Sequence, residues 1–329
     1  QALTLVHVSN LYHTEPHLEL ARRLVTNSFA DRVFFSNSGA EAIEASLKFA
    51  RKWARDKTGA ASKSRFVAFD GGFHGRTMGA LSVTAKARYR EAFAPLVPDV
   101  TFAPFNDLSG ARDAITPRTC AVVVEPIQGE GGVRPAEVAF LRGLRQLCNE
   151  NGALLILDEV QCGLGRTGSL WAHEAYGVAP DIMTLAKPLA GGLPIGATLV
   201  TEAVAQVMQP GDHGSTFAAG PLVCRAAHVV FDRINQPDFL ANVRAKGSYL
   251  IDGLGRLPSD KLIQIRGVGL LVGIEFTESV KPLISAAARR GLVVINAGEN
   301  VLRLCPPLTV TREQIDSAIE IIGDCLENS

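Results

Sequence analysis

The chain has 329 residues, 47% of them hydrophobic and 20% charged, which is apolar material for a sizeable core and length for two domains. Lysine plus arginine and aspartate plus glutamate are equal at 33 each, so the charge balance gives no reason to expect nucleic acid or an anionic membrane surface as partner. No apolar run approaches the roughly 18 residues that cross a bilayer, there is no C-x-x-C and no H-E-x-x-H, and so neither a membrane span, a disulfide frame nor a metal site is indicated.

The sequence opens on Gln1 without a signal-like stretch and reads as a piece of a longer chain. From residue 30 to about 200, short apolar runs alternate with amphipathic stretches. "RVFFSN" (32–37) is the first predicted strand. Ser38 and Glu41 then fit the capping box S-x-x-E, which predicts a helix starting at Gly39–Ala40. The free N–H groups of that first turn, aided by the helix dipole, can hold a phosphate, although an ordinary capped helix has the same signature. "RFVAFD" (65–70) is the next strand, and the glycine-rich loop "FDGGFHGRTMG" (69–79) after it offers an aromatic, Phe73, and a guanidinium, Arg76, suited to a carboxylate.

Strands follow at "AVVVEPI" (121–127), "LLILDEV" (154–160), "DIMTLAK" (181–187) and "GATLVTE" (196–202). Between the first two lies a helix over 135–150, with Pro135 in its first turn, Val138, Leu141, Leu144 and Cys148 on one face and Gly152 past its end. Strands apolar on both faces and separated by helices predict a mostly parallel sheet covered on both sides. After about residue 223 the pattern changes to a helical stretch, then "GLLVGIEF" (269–276), "GLVVINAG" (291–298) and "VLRLCPPL" (301–308). A closing helix from about 312 is capped by Thr311 and Gln314 and carries Ile315, Ile319, Ile322 and Leu326 at helical spacing. The division is a large domain over 1–222 and a small α+β domain over 223–329. The six cysteines, widely spaced, read as small buried hydrophobes.

In open α/β sheets ligands bind outside the carboxyl ends of the strands. Three predicted strands end there in Glu125, Asp158 and Lys187. Each alone is an ordinary solvated strand-end charge; together they describe a cleft with two acids and one lysine. Lys187 stands out because an ammonium inside an apolar run, buried without a partner, is costly. A phosphate cradle, an acid, an aromatic and a desolvated amine suit one cofactor, pyridoxal 5′-phosphate. The amine forms an imine with its aldehyde, the acid keeps its ring nitrogen protonated, and the aromatic packs on its face. "GLGRTG" (163–168) matches the dinucleotide fingerprint G-x-G-x-x-G, but Asp158, Glu159 and Gln161 separate it from its strand, and Asp181 would begin the next strand instead of ending it.

Ordered motifs along essentially the whole chain then carry a resemblance: "NLYHTEPHLELA", "FFSNSGAEA", "FHGRTMGALS", "EPIQGEGGV", "DEVQCGLGRTG", "TLAKPLAGGLPIGA", "GDHGSTFAAGPL" and "RLCPPL". The chain resembles the class III (ω-amino-acid) aminotransferases, enzymes of PLP fold type I, and its motifs are similar to those of plant and algal members. The resemblance implies transamination of N2-acetylornithine with 2-oxoglutarate in arginine biosynthesis, with ornithine δ-transamination as the alternative and an inactive cofactor-binding scaffold as the reading from another class. It implies Lys187 as the imine-forming lysine, Asp158 on the pyridine nitrogen, Gln161 near the phenolic oxygen, Gly39 and Ala40 on the phosphate with Ser38 beside them, and Phe73 on the ring.

It further implies a homodimer with shared sites, in which Thr216 reaches the phosphate of the partner subunit's cofactor and Ser215 lies near that subunit's substrate. Arg76 would bind a substrate carboxylate. Arg303 would bind the carboxylate of 2-oxoglutarate or glutamate next to the reacting carbon, and Glu130 would mask Arg303 when the first substrate is bound. Likeness to plant forms implies the plastid stroma, with the mitochondrial matrix or a bacterial cytoplasm as alternatives. The family pattern has Thr-Glu-Ala-Asn where this chain has "AEAI" (40–43), so Ala40 lacks a hydroxyl and Ile43 an amide. The family also has an N-terminal segment before the equivalent of Gln1.

Overall fold

The computed structural model describes residues 1, 4–258 and 260–327. Its larger sheet has seven strands, in the spatial order Arg32–Ser36, Gly196–Val200, Ile182–Leu185, Leu154–Asp158, Thr119–Val124, Arg65–Phe69 and Val100–Ala103. Neighbours are parallel except where Gly196–Val200 runs antiparallel to both of its own. The segment from Ala186 to Ile195 is shorter than the dozen or more residues of a parallel crossover, so the chain doubles back there. That return carries Lys187 past the carboxyl edge of the sheet.

The six predicted strands of this sheet are present, each ending earlier than expected, and that predicted over 121–127 begins at Thr119; the edge strand Val100–Ala103 was not foreseen, because its four residues are too few to show a period. The apolar-on-both-faces reading has a direct structural counterpart. Phe66, Ala68, Ala121, Val123, Leu154 and Ile156 point to one core with the helix Gly39–Thr58. Their alternates Val67, Phe69, Val122, Val124, Leu155 and Leu157 point to another, under the helices Leu108–Ala114 and Val138–Asn151. Each fully buried Val, Leu, Ile or Phe side chain among them contributes roughly 1.5–3 kcal/mol.

The helix predicted from 135 begins at Val138 instead. Arg134–Pro135 pairs with Ile127–Gln128 in a small ribbon, which takes Pro135 out of the helix, and Val138 faces solvent. Gly152 ends the helix in the left-handed conformation, as its sequence position suggests.

The second sheet is antiparallel, in the order Leu262–Val268, Leu271–Phe276, Val301–Leu304, Ile295–Asn296. Leu262–Val268 was not predicted; no position of it is fully buried and Ile263 and Gln264 are exposed, so it lacks a clean apolar alternation. The strand expected over 291–298 shrinks to two residues between Gly291 and Gly298, both at positive φ. That expected over 301–308 stops at Leu304, ahead of two prolines with no N–H to pair. The final helix, Arg312–Glu327, has its predicted cap: Gln314 N–H donates to Thr311 Oγ1 at 3.3 Å, and Thr311 N–H to Gln314 Oε1 at 3.0 Å. The helix Pro221–Ile234 sends Cys224, Ala227, Phe231 and Ile234 into the core beneath Met183, Leu185 and Leu199 of the large sheet. Five of the cysteines are buried as expected, but Cys305 is exposed. No described helix is long and apolar enough to cross a membrane.

Candidate active site

A cavity of about 430 Å³ opens at the carboxyl edge of the large sheet. Its floor is acidic. Asp158, the last residue of Leu154–Asp158, is 4% exposed and has hydrogen-bond partners on both oxygens. Its Oδ2 lies 2.8 Å from His74 Nδ1, and its Oδ1 accepts from Val160 N–H at 3.0 Å and the Thr184 hydroxyl at 3.2 Å. Burial alone would lower the His74 pKa, but the bond to Asp158 and the charges of Asp158 and Glu125 together raise it. Sequence reading passed over His74, although it stands beside Phe73 in the loop; only the fold brings it against an acid 84 residues away.

Glu125 follows directly on Thr119–Val124 and is also buried. It accepts from Phe73 N–H at 2.9 Å and Gly129 N–H at 3.1 Å, and so ties two loops to the strand end. Burial pushes its carboxyl up to about 7. Glu159, beside Asp158, has a different task. Its carboxylate accepts from the backbone of Ala172 and His173, at 2.6 and 2.8 Å, and anchors the next turn of chain. The "GLGRTG" glycines run through turns, and the element after them is the short 3-10 helix Ala172–Tyr176.

The wall opposite the acids is the N-terminus of Gly39–Thr58. Ser38 Oγ accepts from Glu41 N–H at 3.2 Å, but Glu41 does not return the bond to Ser38. Its Oε2 takes Asn37 N–H at 2.7 Å and Asn37 Nδ2 at 3.0 Å, so the expected box is displaced by one residue. The amides of Gly39 and Ala40 have no hydrogen-bond partner among the described residues, and both residues line the cavity. A Cβ on Gly39 would lie 2.8 Å from Val160 Cγ1, which leaves glycine the fitting residue there. Ala40 supplies only its backbone, and Ile43 is buried in the core beneath the sheet, so neither missing polar group leaves a gap.

Lys187 lines the same cavity. The expectation that it is buried is wrong: it lies two residues beyond Ile182–Leu185 and is exposed, because the chain has left the strand before reaching it. No described residue accepts a hydrogen bond or ion pair from its amine. Phe73 and Gln161 also line the cavity. Gln161 is bound from the second sheet: Arg303 Nη1 donates to its Oε1 at 3.0 Å and to Glu130 Oε1 at 2.7 Å. Arg303 is 8% exposed. Arg76, in contrast, is exposed at the cavity wall and pairs with no described carboxylate. Ser215 accepts from Asn37 Nδ2 at 3.0 Å, a cavity residue that the sequence reading also missed, while Thr216 is exposed and lies outside this cavity.

The Aminotransferase class-III family model matches residues 1–326. The chain belongs to the class-III aminotransferases. It is 55% identical to a mitochondrial acetylornithine aminotransferase of Alnus glutinosa over 99% of this chain and 74% of that one. The fold is like that of ornithine aminotransferase from Toxoplasma gondii ME49, with a TM-score of 0.95 and 30% identity over all of this chain and 80% of that one. It is also like N-acetylornithine aminotransferase from Stenotrophomonas maltophilia K279a, at a TM-score of 0.86 and 36% identity, over all of this chain and 84% of that one.

Members of this family depend on pyridoxal 5′-phosphate, and this aminotransferase has a donor set that fits it. Two amides at a helix N-terminus, without a partner among the described residues, suit the phosphate. A buried carboxylate held by a histidine suits the pyridine nitrogen, and an unpartnered primary amine faces the same space. Among the described residues no group of three or more His, Cys, Asp or Glu is arranged to hold a metal ion.

Proposed function

We propose that this aminotransferase moves the terminal amine of N2-acetylornithine to 2-oxoglutarate, a step of arginine biosynthesis. One observation carries the reading: of two guanidiniums near the cavity, Arg303 is masked by Glu130 while Arg76 is free of any described carboxylate. A two-substrate enzyme needs that asymmetry. The first substrate has one carboxylate, far from the reacting amine, for Arg76; glutamate and 2-oxoglutarate bring a second, next to the reacting carbon, for Arg303. The likeness to acetylornithine aminotransferases supports this substrate, and the likeness to the Toxoplasma ornithine aminotransferase supports ornithine as the second reading.

Pyridoxal phosphate, when bound, supplies the carbonyl that takes up the amine and a ring that accepts the electrons released when the neighbouring C–H bond breaks. The amides of Gly39 and Ala40, with Ser38 beside them, bind its phosphate. Phe73 would pack on the ring and Gln161 would lie by its phenolic oxygen; both line the cavity. Asp158, oriented by His74 and Thr184, holds the proton on the ring nitrogen. Lys187 anchors the cofactor and then, as general base, takes the proton from the carbon bearing the amine. Its exposure leaves the amine free to swing between these tasks.

The same proposal includes a homodimer in which Thr216 and Ser215 serve the partner subunit's site, in keeping with the position of Thr216 outside its own cavity. It includes a division into two domains near residue 222, with Pro221–Ile234 packed against the large one. It includes an organellar home, the plastid or, as the printed name of the Alnus relative has it, the mitochondrion.

The test is a visible spectrum of the cofactor-loaded protein titrated separately with N2-acetylornithine, ornithine and 4-aminobutyrate. Acetylornithine should bleach the yellow band at far lower concentration, and 2-oxoglutarate should restore it. Bleaching best by ornithine would overturn the substrate; no yellow band at all would overturn the role of Lys187.

A further inference from the structure

A second cavity, of about 470 Å³, lies beside the first and shares Phe73 with it. Tyr89, from the short helix Ala87–Arg90, lines this neighbour and has no role in the reaction as described above. Its ring meets Phe73 edge-on, with centroids 6.4 Å apart at 83°. Arg76 stands at the partition. Its guanidinium carbon is 3.7 Å from the Tyr89 ring centroid and 5.6 Å from that of Phe73.

The contact with Tyr89 holds the face of the guanidinium. A flat cation stacked on an aromatic face keeps all its N–H donors, which point outward in its own plane. A carboxylate or amide acceptor would have used those donors, as Glu130 and Gln161 use one of Arg303's. The Tyr89 ring therefore fixes the direction of Arg76 while leaving its bidentate edge open toward a ligand carboxylate. The ring is itself placed by its edge contact with Phe73.

We propose that Tyr89 is a positioning residue for substrate recognition: its ring face pre-orients Arg76 to fork the carboxylate of the amino donor distant from the transferred amine. The inference rests on the role proposed for Arg76. It makes the aromatic face, not the phenol hydroxyl, the working part. Without the ring, Arg76 must be ordered by the substrate, and the loss falls on KM more than on kcat.

The experiment compares the holoenzyme with Tyr89→Phe, Tyr89→Leu, Tyr89→Met and Arg76→Leu. The donor is N2-acetylornithine or ornithine, whichever is turned over. Each is paired with its carboxylate-free counterpart, N-acetyl-1,4-diaminobutane or 1,4-diaminobutane. Tyr89→Leu and Tyr89→Met should lower kcat/KM for the carboxylate-bearing donor by roughly two- to thirtyfold, mainly through KM, and leave the carboxylate-free donor unchanged. Tyr89→Phe should behave as the parent. An equal loss on both donors, no loss on either, or a Tyr89→Phe as impaired as Tyr89→Leu would overturn the proposal. Arg76→Leu reads the underlying assignment separately. If it keeps the parent's preference for the carboxylate-bearing donor, Arg76 is not the carboxylate site. If it abolishes that preference while the Tyr89 variants keep theirs, only the role of Tyr89 fails.

Discussion

His74→Leu removes the one described donor from Asp158 Oδ2, at a pair in which both residues are 4% exposed. Removing one partner of a buried charged pair costs about 3–5 kcal/mol. Asp158 keeps the Val160 and Thr184 donors on its other oxygen, which argues for the low end, ~3 kcal/mol or ~150-fold in the unfolding constant. The loss depends on pH in a definite direction. His74 titrates higher in the native state than in the unfolded chain, so the stability from its proton is complete below the unfolded value of about 6.5. It declines as pH rises through the raised native value. The neutral ring still donates from Nδ1, so part of the difference survives in alkali. The assay is urea unfolding of parent and variant without cofactor, at one protein concentration, at about pH 6 and about pH 9. His74→Asn offers an N–H near the place of Nδ1 but does not titrate, so it should recover much of the stability and lose the pH slope. A His74→Leu protein as stable as the parent at about pH 6, or a difference that grows toward alkaline pH, would refute the reasoning.

Lys187→Ala should abolish turnover while the fold still binds pyridoxal phosphate, and Asp158→Asn should bind it but turn over slower by several orders of magnitude; ordinary steady-state rates in either would remove that residue from the reaction. Arg303→Leu leaves Glu130 and Gln161 without their shared donor and should raise KM for 2-oxoglutarate by about ten- to a hundredfold, with little change in the half-reaction with acetylornithine. Equal loss in both half-reactions, measured by single turnover, would contradict the masked-site reading. Burial pushes the thiols of Cys120, Cys148 and Cys224 up to about 12, so iodoacetamide at neutral pH should label the exposed Cys305 first, and peptide mass spectrometry showing another cysteine labelled equally fast would count against the fold.

Much of this was legible in the sequence because it is local. Strand alternation of period two placed Phe66 and Val67, or Ile156 and Leu157, on opposite faces of a doubly covered sheet. Ser38 and Thr311 announced helix starts through groups three residues away. Asp158 and Lys187 drew notice as charges closing apolar runs. What failed was also instructive. Lys187 was expected inside a buried strand, yet the strand ends at Leu185 and the amine is exposed, because the period of an apolar run does not say where the sheet lets go of it.

Only the tertiary structure decided who meets whom. His74 reaches Asp158 across 84 positions, and Arg303 reaches Gln161 across 142 and Glu130 across 173. Residue type and local spacing fix which face a side chain takes. Strand order, and the doubling-back at 186–195, fix which ends lie side by side. That order comes from the packing of whole elements, an energy summed over the cores, and it leaves no periodic trace in the chain.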